Sequence, residues 1–259
     1  MTDTPAEVKL PLIETVTRSF KYFFENFSLY ARLATLGFVV VLFDMFTNFP
    51  TLCAMRGIDC AQTWQQSAST FLLMLISVAA IILYCRNVVY KTTAMGWGSF
   101  LRSMALYILF SIFMVLLIAV PSIILMILYG MIFPDAGNHV ILDKLILFIP
   151  LLIAIAAAPV FLIFPAIAVE DKTFSLKKVF QLAKGNSNRI FWGQFLMMVP
   201  CGIFILLLNW LYKVIGVDNY LLNEVFIIVV IAVSLADSCL KASFYAHIYQ
   251  FFKYQEQKK

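Results

Sequence analysis

The chain has 259 residues, of which 63% are hydrophobic and 13% charged, whereas soluble domains average about 45–50% apolar and about 25% charged. That balance excludes an ordinary soluble domain. The net charge of +5 does not signal nucleic acid, because the basic residues flank apolar runs and no zinc-finger, RNP or Gly-x-Gly-x-x-Gly pattern occurs.

A bilayer core requires roughly 20 consecutive apolar residues per helix. Uncharged runs such as Met104–Met131 and Leu145–Val169 meet that length. The expected fold is an all-α polytopic membrane protein, one transmembrane domain over residues 1–259. In chain order, Met1–Leu10 carries Asp3, Glu7 and Lys9 and lacks the pattern of a cleaved secretory signal. Insertion is therefore expected through the first span. The six expected spans are about 29–49, 69–90, 103–133, 143–169, 190–213 and 221–250. The third exceeds one bilayer crossing, so it is expected to tilt, kink at Pro121 or project beyond the hydrocarbon. The fourth carries Pro150, Pro159 and Pro165, and the fifth Pro200.

Orientation is read from Lys and Arg. Of the 19 such residues, all but Arg56, Lys144 and Lys213 fall on one side of this arrangement. The positive-inside bias makes that side cytoplasmic, with both termini on it. The expected location is a bacterial cytoplasmic (inner) membrane.

Two amphipathic elbow helices are expected at the cytoplasmic surface, about 13–27 and 174–184. In the first, Ile13, Val16, Phe20, Phe23, Phe24 and Phe27 form an apolar stripe, with Glu14, Arg18, Lys21 and Glu25 opposite. In the second, Leu176, Val179, Phe180 and Ala183 oppose Lys177, Lys178, Gln181 and Lys184. Such helices lie in the interface with basic residues toward headgroups. Thr173 or Ser175 is the expected cap of the second, and Gly185-Asn186 its stop. The elbows suit two roles: sensing anionic lipid through Arg18, Lys21, Lys177, Lys178 and Lys184, or positioning the span that follows. At an offset of 160 residues Phe20 meets Phe180, Asn26 meets Asn186 and Val39 meets Val199. This suggests a parallel pseudo-repeat of elbow plus hairpin around a central third and fourth span.

No constellation for catalysis is evident. The two histidines, His139 and His247, fall on opposite sides of the membrane, read as a loop residue and an interfacial one. Neither has carboxylates at ligand spacing, and nucleophile-elbow, phosphate-loop and His-Glu-x-x-His patterns are missing. No catalytic residue, metal or cofactor is assigned. Cys85, Cys201 and Cys239 read as small apolar residues within spans. Cys53 and Cys60 share an extracytoplasmic loop, where a disulfide is expected if that face is oxidising.

Within the spans the polar residues to weigh are Asp44, Asn209, Asp237 and Lys241. Asp237 and Lys241 are four apart on one helix face. A charge at the bilayer centre costs about 2.5–3.5 kcal/mol on insertion scales, so it needs a partner or a cavity. An internal ion pair satisfies that need; a polar pocket for a headgroup or ion is the functional alternative.

The stretch Phe164–Lys172, followed by Phe174–Asn186 and Phe191-Trp192, resembles bacterial membrane proteins of the glycerophosphoryl diester phosphodiesterase membrane domain family, including the YciC type. They share a span ending in Pro, small and apolar residues and an acid, then a short elbow, then a span that starts with aromatics. Here Val179-Phe180 stands where that family often has serine and tryptophan. The resemblance implies a six-helix membrane fold and no particular activity. The expected function is non-enzymatic: lipid binding or scaffolding in envelope or membrane homeostasis, with membrane lipids and a membrane protein as partners. The alternatives are a transporter or channel using Asp237, Lys241, Ser77, Ser234, Ser238, Tyr84 and Asn209, or an accessory subunit of a larger complex.

Overall fold

In a computed structural model of the chain the structure describes residues 9–47, 64–132, 155, 158–215 and 220–257. They form α1 (Leu12–Glu25), α2 (Phe27–Thr47), α3 (Trp64–Tyr90), α4 (Trp97–Ile132), a 3₁₀ helix η1 (Ala158–Leu162), α5 (Ile163–Ala168), α6 (Leu176–Ala183), α7 (Ser187–Ile215) and α8 (Tyr220–Gln257). No strand occurs among the described residues. Among the described residues four stretches are long and apolar enough to cross a membrane: Phe71–Tyr90, Trp97–Pro121, Ser187–Tyr212 and Val225–Gln255. The expected spans 29–49 and 143–169 run beyond the described residues; their described parts are the apolar helices Phe27–Val40 and Ala158–Ala168. Cys53, Cys60 and His139 also lie outside the described residues.

α8 is the axis of the bundle. It packs against α1, α2, α3, α5, η1 and α7, and every residue from Ala242 to Tyr249 is buried. Small residues at Ala242, Ser243 and Ala246 let neighbouring backbones approach, as packing between membrane helices requires. The third span, α4, lies at the edge and exposes Leu109, Ile112, Phe113, Val115 and Leu116. α4 has 36 residues with Pro121 inside it. Its length of about 54 Å exceeds a hydrocarbon core of about 30 Å. The described end of the fourth span also departs from a continuous α-helix: η1 precedes α5. Pro159 and Pro165 lack an N–H and crowd the preceding turn, which accounts for the change of winding.

Helix α1 has three faces where the sequence suggested two. Glu14, Arg18, Lys21 and Glu25 are exposed on one. Ile13 and Phe24 are 78% and 68% exposed on the second, which suits burial in lipid. Thr15, Ser19, Tyr22 and Phe23 form the third and are buried against α7 and α8. His247, expected at the interface, lies beneath this third face at 8% exposure. Its Nδ1 donates to the Ser243 carbonyl oxygen at 2.8 Å, and Ser19 Oγ is 3.4 Å away.

Within the second expected elbow a helix forms over Leu176–Ala183. Ser175 caps α6 by accepting from the Lys178 N–H at 3.4 Å. The chain then turns through Lys184 (φ −53, ψ 129) and Gly185 (φ 76), and the Asn186 N–H donates to the Ala183 carbonyl at 2.8 Å. This is a type II turn, whose third position favours glycine.

Candidate functional site

The Asp237–Lys241 pair forms within α8. Lys241 Nζ lies 2.5 Å from Asp237 Oδ2, with side chains 25% and 21% exposed. Asp237 Oδ1 is buried without a hydrogen-bond partner among the described residues. Lys241 also lines a cavity of about 300 Å³ between α3, α4, η1, α5, α7 and α8. Its polar wall comprises Tyr107, Ser111, Gln194, Ser238, Lys241 and Tyr245; Phe161, Phe164 and Met114 supply much of the apolar wall. Tyr245 stacks on Phe161 with ring centroids 5.6 Å apart, and its buried hydroxyl has no partner among the described residues. Val115, an exposed residue of α4, belongs to the same wall, so the cavity reaches the apolar outer surface. Of Lys241's three N–H donors, Asp237 engages one, leaving donors for an acceptor in the cavity. Gln194, Tyr107 and Ser111 were missed in the sequence, where no spacing links them to Lys241.

The other polar residues weighed for a transport route do not share this cavity, Ser238 excepted. Ser77 and Ser234 donate to the carbonyls of Leu73 and Val230 in their own helices. Tyr84 donates to the Asn26 carbonyl at 3.2 Å, and Asn209 is exposed on α7. Among the described residues, no group of three or more His, Cys, Asp and Glu is placed to hold a metal ion.

The basic residues of the elbows divide. Arg18 pairs with Glu14 at 2.8 Å and Lys21 approaches Glu25 at 3.8 Å, all four side chains mostly exposed. Such pairs contribute little stability but offset the charge available to a headgroup. Lys177 on α6 and Lys184 just after it are exposed, and Lys178 is half-buried.

The stretch Pro165–Lys172 is a structural junction. The last carbonyls of a helix lack internal partners, and here side chains from other helices supply them. Ser103 donates to the Ile167 carbonyl at 3.2 Å, Arg86 to Ala168 at 3.5 Å and Tyr90 to Val169 at 3.2 Å. The Glu170 N–H bonds to Ile167 O and the Asp171 N–H to Ala166 O, the pattern of a Schellman motif. Its left-handed position is Glu170, at φ 56, where glycine is the low-cost residue. Asp171 then accepts from Thr173 Oγ1 at 2.6 Å, Lys253 Nζ at 2.9 Å and the Tyr249 hydroxyl. Burial acts to raise this carboxyl, but the hydrogen bonds from Thr173, Tyr249 and Lys253 outweigh it and hold it well below the usual carboxylate range.

A second cavity, of about 350 Å³, adjoins this junction and is lined by Arg102, Ser103, Leu106, Ala166, Glu170 and Lys172 among others. An apolar groove of about 500 Å³ follows α4 from Leu106 to Leu116, sharing Leu106 and Ile167 with that cavity. Comparison with known proteins found no matching family model, curated protein or solved structure.

Proposed function

We propose that this chain is a non-enzymatic integral membrane protein that binds lipid in the cavity beside Lys241. The observation carrying this reading is a single ammonium group on the wall of an apolar-lined cavity that reaches the lipid-facing side of α4. An ammonium there attracts a phosphate or carboxylate, and Asp237 orients it. Gln194 and the unpartnered Tyr245 hydroxyl supply hydrogen bonds to the same headgroup, while Phe161 and Met114 suit the start of an acyl chain. In native nanodiscs, Lys241→Gln is expected to lower retained anionic lipid roughly tenfold, the worth of one charge-assisted hydrogen bond. Asp237→Asn is expected to change lipid content less. Unchanged lipid in both variants, with solute uptake abolished by Asp237→Asn, would instead establish the transporter reading.

The setting proposed is a bacterial inner membrane, with six spans, both termini cytoplasmic and a partner protein on the exposed helices. The basic bias supports the topology, and the resemblance around Phe164–Asn186 supports kinship with the glycerophosphoryl diester phosphodiesterase membrane domain family. A parallel repeat draws support from Asn26 and Asn186. Each stands where an elbow gives way to the next helix, and each side-chain oxygen accepts from a distant element: Asn26 from Asn87 at 3.1 Å, Asn186 from the Leu10 N–H at 2.8 Å. A cysteine introduced at Lys177 should react with membrane-impermeant maleimide only after the cytoplasmic face is opened. Labelling in intact cells would refute the topology.

A further inference from the structure

We infer a separate phospholipid site on the rim of the bundle, outside the Lys241 cavity, built for a headgroup that carries both a phosphodiester and a primary ammonium, as in phosphatidylethanolamine. Arg102 and Lys172 bring positive charge to the cavity beside the α5 junction, and Glu170 brings negative charge to the same wall. Among the described residues none gives Arg102, Lys172 or Glu170 a side-chain ion pair or hydrogen bond. Asp171, which lines the same cavity, is by contrast already engaged by Tyr249 and Lys253. The lining thus carries two cations and two carboxylates, and with Asp171 engaged, Arg102, Lys172 and Glu170, which have no side-chain partner among the described residues, complement a phosphate joined to an ammonium better than a singly anionic headgroup, which Glu170 would repel.

The groove supplies the matching tail site. It leads from the shared residues Leu106 and Ile167 past Phe110 and Phe113 to Leu116. Leu106 to Leu116 spans about 15 Å of helix, half of a hydrocarbon core of about 30 Å: the reach of one acyl chain in one leaflet. Head cavity and groove are therefore joined end to end in the order of a phospholipid's own parts. Glu170 occupies a left-handed backbone position that L side chains adopt only at a cost, so Glu170→Gly relieves that cost.

The test is lipid titration of the purified full chain by native mass spectrometry, with phosphatidylethanolamine and phosphatidylglycerol of identical acyl chains. A Lys241→Gln background removes the intramembrane ammonium, so failure of the Lys241 reading and failure of this one are told apart. In that background phosphatidylethanolamine is expected to bind more tightly. Glu170→Gly should abolish the preference while the melting temperature holds or rises, which a purely structural role for Glu170 would not produce. Arg102→Gln with Lys172→Gln should weaken both lipids about tenfold or more. Equal binding of the two lipids, tighter phosphatidylglycerol, a preference that survives Glu170→Gly, or one that vanishes with Lys241→Gln would each overturn the assignment.

Discussion

Replacing Gly193 with leucine is expected to prevent assembly of the bundle. Gly193 lies on the face of α7 that meets α1 and α8. A Cβ built there would stand 2.7 Å from Leu12 Cδ1 and closer still to the Phe244 ring. Phe244 is fully buried. Overpacking of a tight core typically costs about 1–3 kcal/mol, and leucine adds three carbons beyond the first clash. Even Gly193→Ala should lower the melting temperature in detergent by several degrees. Gly202, on the same helix, has nothing within 4 Å of its Cβ position, so Gly202→Ala should leave the melting temperature unchanged or raise it slightly. Equal tolerance at both glycines would refute this account of how α7 docks.

Asp171→Ala is the second large effect. The change leaves the Tyr249 hydroxyl and the Lys253 ammonium without their acceptor and releases Thr173, so the connection between α5 and α6 loses its attachment to α8. Removing one partner from a buried pair costs about 3–5 kcal/mol. Lys253 is 40% exposed and regains water, so about 2 kcal/mol is the expected loss. Folding lowers the Asp171 pKa, so its stabilisation is complete above the carboxylate's unfolded value. It is lost as pH falls below about 4 toward the folded value. The wild-type melting temperature should therefore drop through that window, and Asp171→Asn should start lower and fall less steeply. Parallel acid profiles for the two proteins would count against the role assigned to Asp171.

Much of the local structure could be read from the chain before any contact was known. Apolar length and the flanking basic residues indicated membrane helices, and Ser175 with Gly185 marked the limits of α6, because caps and turns depend on residues only a few positions apart. The Asp237–Lys241 pair was legible for the same reason, being four residues apart on one helix.

Tertiary structure alone decided which helix is central. α4 and α8 are both long and apolar, and a membrane helix presents apolar side chains to lipid and to protein alike, so hydropathy does not rank them. The same ambiguity hid the inner face of α1, where Thr15 and Ser19 look solvent-facing in sequence yet are buried, Ser19 against Ser243 and His247. Asp171 gave no sign of Tyr249 and Lys253 as partners, 78 and 82 positions away. Gln194 and Tyr107 meet Lys241 only once α4, α7 and α8 are assembled, and Arg102 reaches Glu170's cavity only through the docking of α4 on α5. Sites of this kind are made by packing between distant segments, and no periodicity within a single helix encodes them.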